Sequence, residues 1–319
     1  MNIVLTGSVA YDYLMCFPGH FKDQILPERL ASISLSFLVD SMSKQRGGTA
    51  PNIAYSLALL GGRPRIMATV GEDFADYRSW LECKGVDTSL MEVIPGEFTA
   101  SFFATTDRSN AQIASFYPGA MAHAAKQSLR DIHPRPDLVI VSPNDPVAMK
   151  NFAAECREMS IPYLYDPSQQ VLRLEGYELA RDLECAYFLF VNDYEFGLIC
   201  KKTGFDLKHI FEHVDVLVVT RGAEGASIYT GGQEVTIPIF PTEKVVDPTG
   251  VGDAFRGGFL TAYSHGWDWK LCGEVGALAA AYCLEQIGPQ SHSYTPREFV
   301  ARFRQQFDDR GRLDELIKG

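Results

Sequence analysis

The chain has 319 residues, 46% hydrophobic and 22% charged, a balance that fills a large core and excludes a disordered or fibrous protein. Its 29 basic and 40 acidic residues give a net charge of −11, without the basic stripe of a nucleic-acid binder. Seven scattered cysteines, odd in number and lacking a CxxC pair, argue against a disulfide framework or structural zinc and for reduced thiols in a cytoplasmic protein. No apolar run approaches bilayer-spanning length, and no basic leader precedes an apolar stretch at Met1, so neither a membrane partner nor export is expected.

Ile3-Val4-Leu5 reads as a buried strand ending at Thr6-Gly7-Ser8. Residues 13–46 hold short extended pieces, among them 32–37, where Ser32, Ser34 and Ser36 alternate with apolar residues as in a strand with one wet face. Gly47-Gly48-Thr49-Ala50-Pro51-Asn52 opens a helix over 53–60, with Pro51 suited to its first turn and Gly61-Gly62 to its end. A strand over 65–70 and a helix over 73–84, stopped by Gly85, follow. Residues 98–105 and 111–117 are extended again and form, with 13–46, a small sheet outside the main core.

From Asp137 the rhythm is strand, helix, strand. The runs 138–141, 163–165, 187–191 and 216–219 are apolar without alternation, the pattern of a parallel sheet covered on both faces. Three of them end in polar clusters: Asp166-Pro167, Asn192-Asp193-Tyr194-Glu195 and Thr220-Arg221-Gly222. In such sheets ligands sit at the strands' carboxyl ends. The last third is helical over 251–265, 270–287 and 296–308.

Chemistry concentrates in Asp247-Pro248-Thr249-Gly250-Val251-Gly252-Asp253-Ala254-Phe255-Arg256. Two glycines let backbone approach a ligand, and a helix begins there. Its unpaired amides and positive dipole end suit a phosphoryl group. Asp253 in that first turn can take the proton of an attacking hydroxyl, and the amides and dipole favour its ionised form. Arg256, on the same helix face, can reach a phosphate. Read alone, Gly-x-Gly-Asp is equally a capping aspartate on a glycine turn. The P-loop and protein-kinase signatures are absent.

Taken with Gly47-Gly48-x-x-x-Asn52, that segment resembles the paired signatures of the ribokinase-like (PfkB) carbohydrate and nucleoside kinases. The resemblance is closest to bacterial adenosine kinases, through residues 34–40, 111–121, 166–170, 192–195 and 247–256. It implies a doubly wound, mostly parallel α/β sheet flanked by helices, in a single kinase domain over 1–319. A small β-sheet lid lies within it, formed by roughly 13–46 and 92–120. It implies transfer of the γ-phosphoryl of ATP to the 5′-hydroxyl of adenosine, with Asp253 as base and the amides of Gly250, Val251 and Gly252 as anion hole.

By the same resemblance, Asp12 holds ribose hydroxyls with help from Gly48 and Asn52, and Phe102 and Phe116 sandwich the base. Ser8 and Ser36 supply hydroxyls near the nucleoside, and Gln169 and Gln170 present amides to the base edge. Asn192 and Glu195 match the family's Asn-x-x-Glu motif, Glu195 working on magnesium through water. Thr220, Gly222 and Gly225 match its nucleotide loop. Asp247 stands where several relatives place a monovalent-cation ligand, which adds potassium to the implied ions. Pairing of lid sheets implies a homodimer. The other acceptors open at this point are another nucleoside, ribose or fructose, and a silent nucleoside-binding regulator is the reading outside catalysis.

Overall fold

The apolar runs become the strands of one large sheet. The computed structural model describes residues 1–26, 32, 34–242 and 244–318. The strands of the large sheet are β1 (Ile3–Thr6), β4 (Arg65–Val70), β5 (Met91–Val93), β8 (Leu138–Val141), β9 (Tyr163–Tyr165), β10 (Ala186–Asn192), β11 (Val214–Thr220), β12 (Ala226–Thr230) and β13 (Gln233–Ile237). Their order is β13-β12-β11-β10-β9-β8-β1-β4-β5. Every pair from β11 to β5 is parallel, and β12 and β13 run antiparallel at one edge.

Alternate residues of each parallel strand enter different cores, which explains the absence of polar alternation. Ile3 and Leu5 pack with helices α1 (Thr49–Leu59), α7 (Val251–Ser264) and α8 (Trp269–Leu284). Val4 and Val139 pack on the other face with α3 (Pro146–Glu158), α4 (Gly176–Leu183) and α5 (Asp193–Thr203). The chain leaves β1 for β4 on one side and returns through β8 on the other. The strand order therefore reverses beside β1, and a crevice opens at the carboxyl ends there.

A second sheet has the order β3-β2-β6-β7, from β2 (Ala10–Cys16), β3 (Ser41–Gly47), β6 (Ala100–Thr106) and β7 (Gln112–Tyr117). This is the lid. Its register aligns Gln45, Asp12, Phe102 and Phe116 in one row across one face. The next row, on the opposite face, is Lys44, Tyr13, Phe103 and Ser115.

Two expectations about elements change. The strand read at 32–37 is absent among its described residues. Residues 34–39 carry no strand pairing, Leu35 and Leu38 are exposed, and Ile33 lies outside the described residues. The strand falls instead at 41–47, a polar stretch whose pairing with β2, Ala10 opposite Gly47 through Cys16 opposite Ser41, outweighs its weak apolar pattern. The helix read at 296–308 ends at Phe303, where Arg304 turns to the Asp309 carboxylate at 2.8 Å and to Asp314 at 2.7 Å.

Candidate active site

Helix α7 starts on Gly250 in the left-handed region, with φ of 77°, and a Cβ there would lie 2.3 Å from Pro289. No other residue fits that turn without moving the 288–290 loop. The Val251 amide donates to the Pro248 carbonyl at 3.3 Å. The remaining amides of the first turn have no acceptor within the helix and form its positive end. Asp247, before the turn, accepts from the Thr249 amide and from the Gly288 amide, each at 2.9 Å, and these bonds lower its pKa against the opposing effect of burial. Both carboxylate oxygens thus clasp the 247–249 turn to the following loop.

Asp253 stands one turn in. Its Oδ2 accepts a hydrogen bond from Asn52 Nδ2 at 2.9 Å, across from α1. Burial pushes its pKa up to about 6; Arg256 and the Asn52 amide pull it down, and Glu195 pushes it up. Desolvation therefore outweighs the helix amides that the sequence suggested would hold the group fully ionised. A pKa near neutrality suits a group that must gain a proton during the reaction.

Arg256 is buried, and its first role is to balance charge. Its Nε and Nη2 lie 2.7 and 2.8 Å from the Asp166 carboxylate, at the end of β9. Burial pushes Asp166 up and Arg256 pulls it back. Against the cost of burying the guanidinium, Asp166, Asp253 and Glu195 keep it charged. Its remaining nitrogen, Nη1, is the atom that a side chain at Gly252 would meet, at 2.9 Å. The site thus presents one positive edge and the first amides of α7 on the same side.

Gly250, Gly252, Asp253 and Arg256 line a cavity of about 220 Å³, together with Thr49, Ser168, Gln169, Asn192, Glu195 and Thr220. Asn192 and Glu195 form a reciprocal cap at the start of α5: Asn192 Oδ1 accepts from the Glu195 amide at 2.7 Å, and Glu195 Oε2 from the Asn192 amide at 2.9 Å. One Glu195 oxygen stays free of that cap. A set of carboxylate and amide oxygens, without nitrogen or sulfur donors, fits a hard cation that keeps water and binds phosphate oxygens. Glu195 and Asn192 are the residues that would hold magnesium. Thr220 ends β11, and Gly222 and Gly225 follow with φ of 54° and 87°. A Cβ at Gly225 would lie 2.1 Å from the Ile237 carbonyl.

The other predicted side chains fall in three groups. Asp12 lies in the lid with its carboxylate against Gly47, where a Cβ would meet Oδ2 at 2.5 Å; burial raises its pKa to about 6. Gly48, with φ of 96°, passes so close to Ser8 that a Cβ would lie 2.4 Å from its carbonyl. Those two contacts explain the paired glycines at the junction of lid and core. Ser8 Oγ accepts from the Thr49 amide at 3.2 Å and so caps α1. Phe102 and Phe116 are direct cross-strand neighbours beside Asp12. Gln169 lies in the cavity wall. Gln170 is buried and its Nε2 is taken by the Asn144 carbonyl at 2.7 Å, which leaves only Oε1 of its amide without a partner. Ser36 sits exposed in the 34–39 stretch and is not among the residues that line the cavity.

Sequence reasoning missed Gln290 and Tyr77, which belong to no motif. Gln290 donates to Asn52 Oδ1 at 2.9 Å and to the Tyr77 hydroxyl, and Tyr77 donates to the Gly47 carbonyl at 3.0 Å. It also missed the ion-pair role of Asp166, although the polar cluster at the end of β9 pointed there.

Residues 6–296 match the profile of the pfkB family carbohydrate kinases. The chain belongs to this family. A nucleoside kinase of Methanocaldococcus jannaschii is 31% identical over 309 residues, covering 94% of this chain and 96% of the relative. The structure of Burkholderia thailandensis nucleoside kinase in complex with inosine matches with a TM-score of 0.85 at 38% identity, covering 96% of this chain and 98% of that one. An adenosine kinase of Saccharomyces cerevisiae is 27% identical over 161 residues, covering 45% of this chain and 47% of the relative. The fold, a large mostly parallel sheet flanked by helices with a small lid sheet, is that of the ribokinase-like enzymes in this family.

Proposed function

We propose that this pfkB-family kinase transfers the γ-phosphoryl group of ATP to the 5′-hydroxyl of adenosine, giving AMP and ADP. The observation that carries the proposal is the row Gln45–Asp12–Phe102–Phe116 on one lid face. In this reading the Asp12 carboxylate takes two neighbouring ribose hydroxyls and the two phenylalanines beside it pack against the base. A base on an aromatic platform gains about 1–3 kcal/mol, and a plain sugar needs no such wall. The Gln45 side chain is what a Cβ at Gly288 would meet, at 2.6 Å, so this lid face looks toward the loop beside Gly250.

In this reading Asp253 accepts the proton of the 5′-hydroxyl as its oxygen attacks the γ-phosphorus in line. Asn52 holds the carboxylate in place, and the first amides of α7 with Arg256 Nη1 stabilise the charge spreading over the transferred group. Thr220 and the Gly222–Gly225 turn lie against the nucleotide. Glu195 and Asn192 would hold magnesium through its waters, and the ion would supply positive charge to offset that of the ATP phosphates. Closure of the lid keeps water from competing as acceptor.

The opposite lid face supports a second copy of this chain as partner. Met42, Phe103, Ile113 and Tyr117 are exposed there, and among the described residues β3 and β7 end the sheet with no strand paired to their outer edges. A homodimer through this face is the proposal, and sedimentation at the monomer mass at micromolar concentration would reject it. Among the described residues no helix is long and apolar enough to cross a membrane.

The inosine complex of the Burkholderia relative favours a second reading, a kinase for other purine nucleosides. Turnover of ATP and magnesium with adenosine, inosine, guanosine, cytidine, ribose and fructose decides between them. Adenosine with the highest kcat/KM supports the first reading and inosine the second. Turnover on sugars alone, or on nothing, refutes both.

A further inference from the structure

A buried chain of hydrogen bonds runs from the lid strand to Asp253, and its direction follows from donor counting. Tyr77 commits its only proton to the Gly47 carbonyl at 3.0 Å, so its oxygen must accept from Gln290. The Gln290 nitrogen therefore faces Tyr77, and its second proton goes to Asn52 Oδ1 at 2.9 Å. Asn52 must then turn Nδ2 toward Asp253, where it donates to Oδ2 at 2.9 Å. A flipped Gln290 would set its oxygen against Asn52 Oδ1. A flipped Asn52 would set its own oxygen against the carboxylate.

We infer that Gln290 is a positioning residue of this kinase: it fixes the orientation of the Asn52 amide, and through it the aspartate that receives the acceptor's proton. The inference rests on the reading of Asp253 as base. Among the described residues Gln290 hydrogen-bonds to Asn52 and Tyr77 and not to Asp253, it is not in the cavity lining, and it is buried, with 6% of its surface exposed. Its contribution therefore passes through Asn52. The same amide ties Asn52 to Gly47, the last residue of lid strand β3, so the geometry at the base is anchored to the junction on which the lid is carried. Losing the hydrogen bond that orients the neutral Asn52 amide corresponds, at the upper end for a neutral pair, to about tenfold in rate.

The test is a double-mutant cycle on the full-length enzyme with ATP, magnesium and its best nucleoside. Gln290→Met fills the same space without a donor. Its kcat is expected to fall about tenfold, with KM for nucleoside and for ATP within about twofold of the parent. In an Asn52→Ala background the same substitution is expected to change kcat by less than about twofold, because the residue it acts through is gone. Independent, additive losses would overturn the inference, as would a rise in KM with kcat intact. Gln290→Glu keeps the shape and reverses the polarity, so its kcat should fall further than that of Gln290→Met. An equal or smaller loss would also overturn the inference; if the methionine variant does not fold, a Gln290→Glu kcat within about twofold of the parent overturns it instead. Asp253→Asn separates the two levels: if it keeps turnover, the base assignment fails; if it abolishes turnover while the cycle is additive, only the role of Gln290 fails.

Discussion

Replacing Asp253 by asparagine separates what the carboxylate does for the reaction from what it costs the fold. The group titrates at about 6 in the folded protein against an ordinary 3.8, because burial disfavours its charge more than Arg256 and Asn52 favour it. A raised carboxylate binds its proton more tightly folded than unfolded, so the charge destabilises the native state above pH 6 and the penalty fades as pH falls toward 4. Two such pKa values correspond to a penalty of about 3 kcal/mol at pH 8 and about 1.6 kcal/mol at pH 5. The neutral amide removes it while still accepting from Asn52 Nδ2. At about 2.1 cal/mol/K per residue of unfolding entropy, each kcal/mol moves Tm of a chain this long by about 1.5 °C. Asp253→Asn should therefore melt about 4 °C above the parent at pH 8 and about 2 °C above it at pH 5, while kcat falls by about 10²–10⁴. Melting curves at both pH values and initial rates at pH 8 measure this. A variant less stable than the parent, or a gap unchanged with pH, would refute the account of Asp253 as a buried charge kept for chemistry; near-normal turnover would refute its role as base.

Acidification should lower kcat/KM below pH 6 more steeply than one proton allows, since burial raises both Asp12 and Asp253 to about 6 and the proposed reaction needs both ionised; a pH-rate profile with unit slope would contradict that pairing. Gly48→Ala sets a Cβ 2.4 Å from the Ser8 carbonyl at a φ of 96°, so chemical denaturation should show a loss of about 2 kcal/mol or more. Asp166→Ala leaves the buried Arg256 guanidinium without its partner and should cost about 3–5 kcal/mol, read from the urea midpoint.

The parallel sheet was legible because its strands are buried on both faces: Leu138–Val141 and Val216–Val219 have no polar alternation to confuse them with anything else. The glycine turn before Asp253 was legible for a similar reason, since Gly250, Gly252 and the following helix are local features. The lid strand at 41–47 was not. Ser41–Gly47 carries little apolar pattern, and what makes it a strand is its partner β2, about 30 residues earlier in the chain. The paired glycines at 47 and 48 were visible as a motif, but their reasons, the Asp12 carboxylate on one and the Ser8 carbonyl on the other, lie in a different strand and loop.

The order of buried and polar runs in this sequence determines a doubly wound core and the row of chemically active ends along it, because strand burial and helix initiation depend on residues close in the chain. Whether a polar residue at one of those ends faces a ligand or a neighbour depends on contacts between distant segments. Tertiary structure alone pairs Arg256 with Asp166, turns Gln170 inward onto Asn144, and joins Gly47, Tyr77, Gln290, Asn52 and Asp253 in one chain of hydrogen bonds across more than two hundred residues of sequence. Each of these is a buried polar group that must find a partner, and the nearest partner in space is remote in sequence.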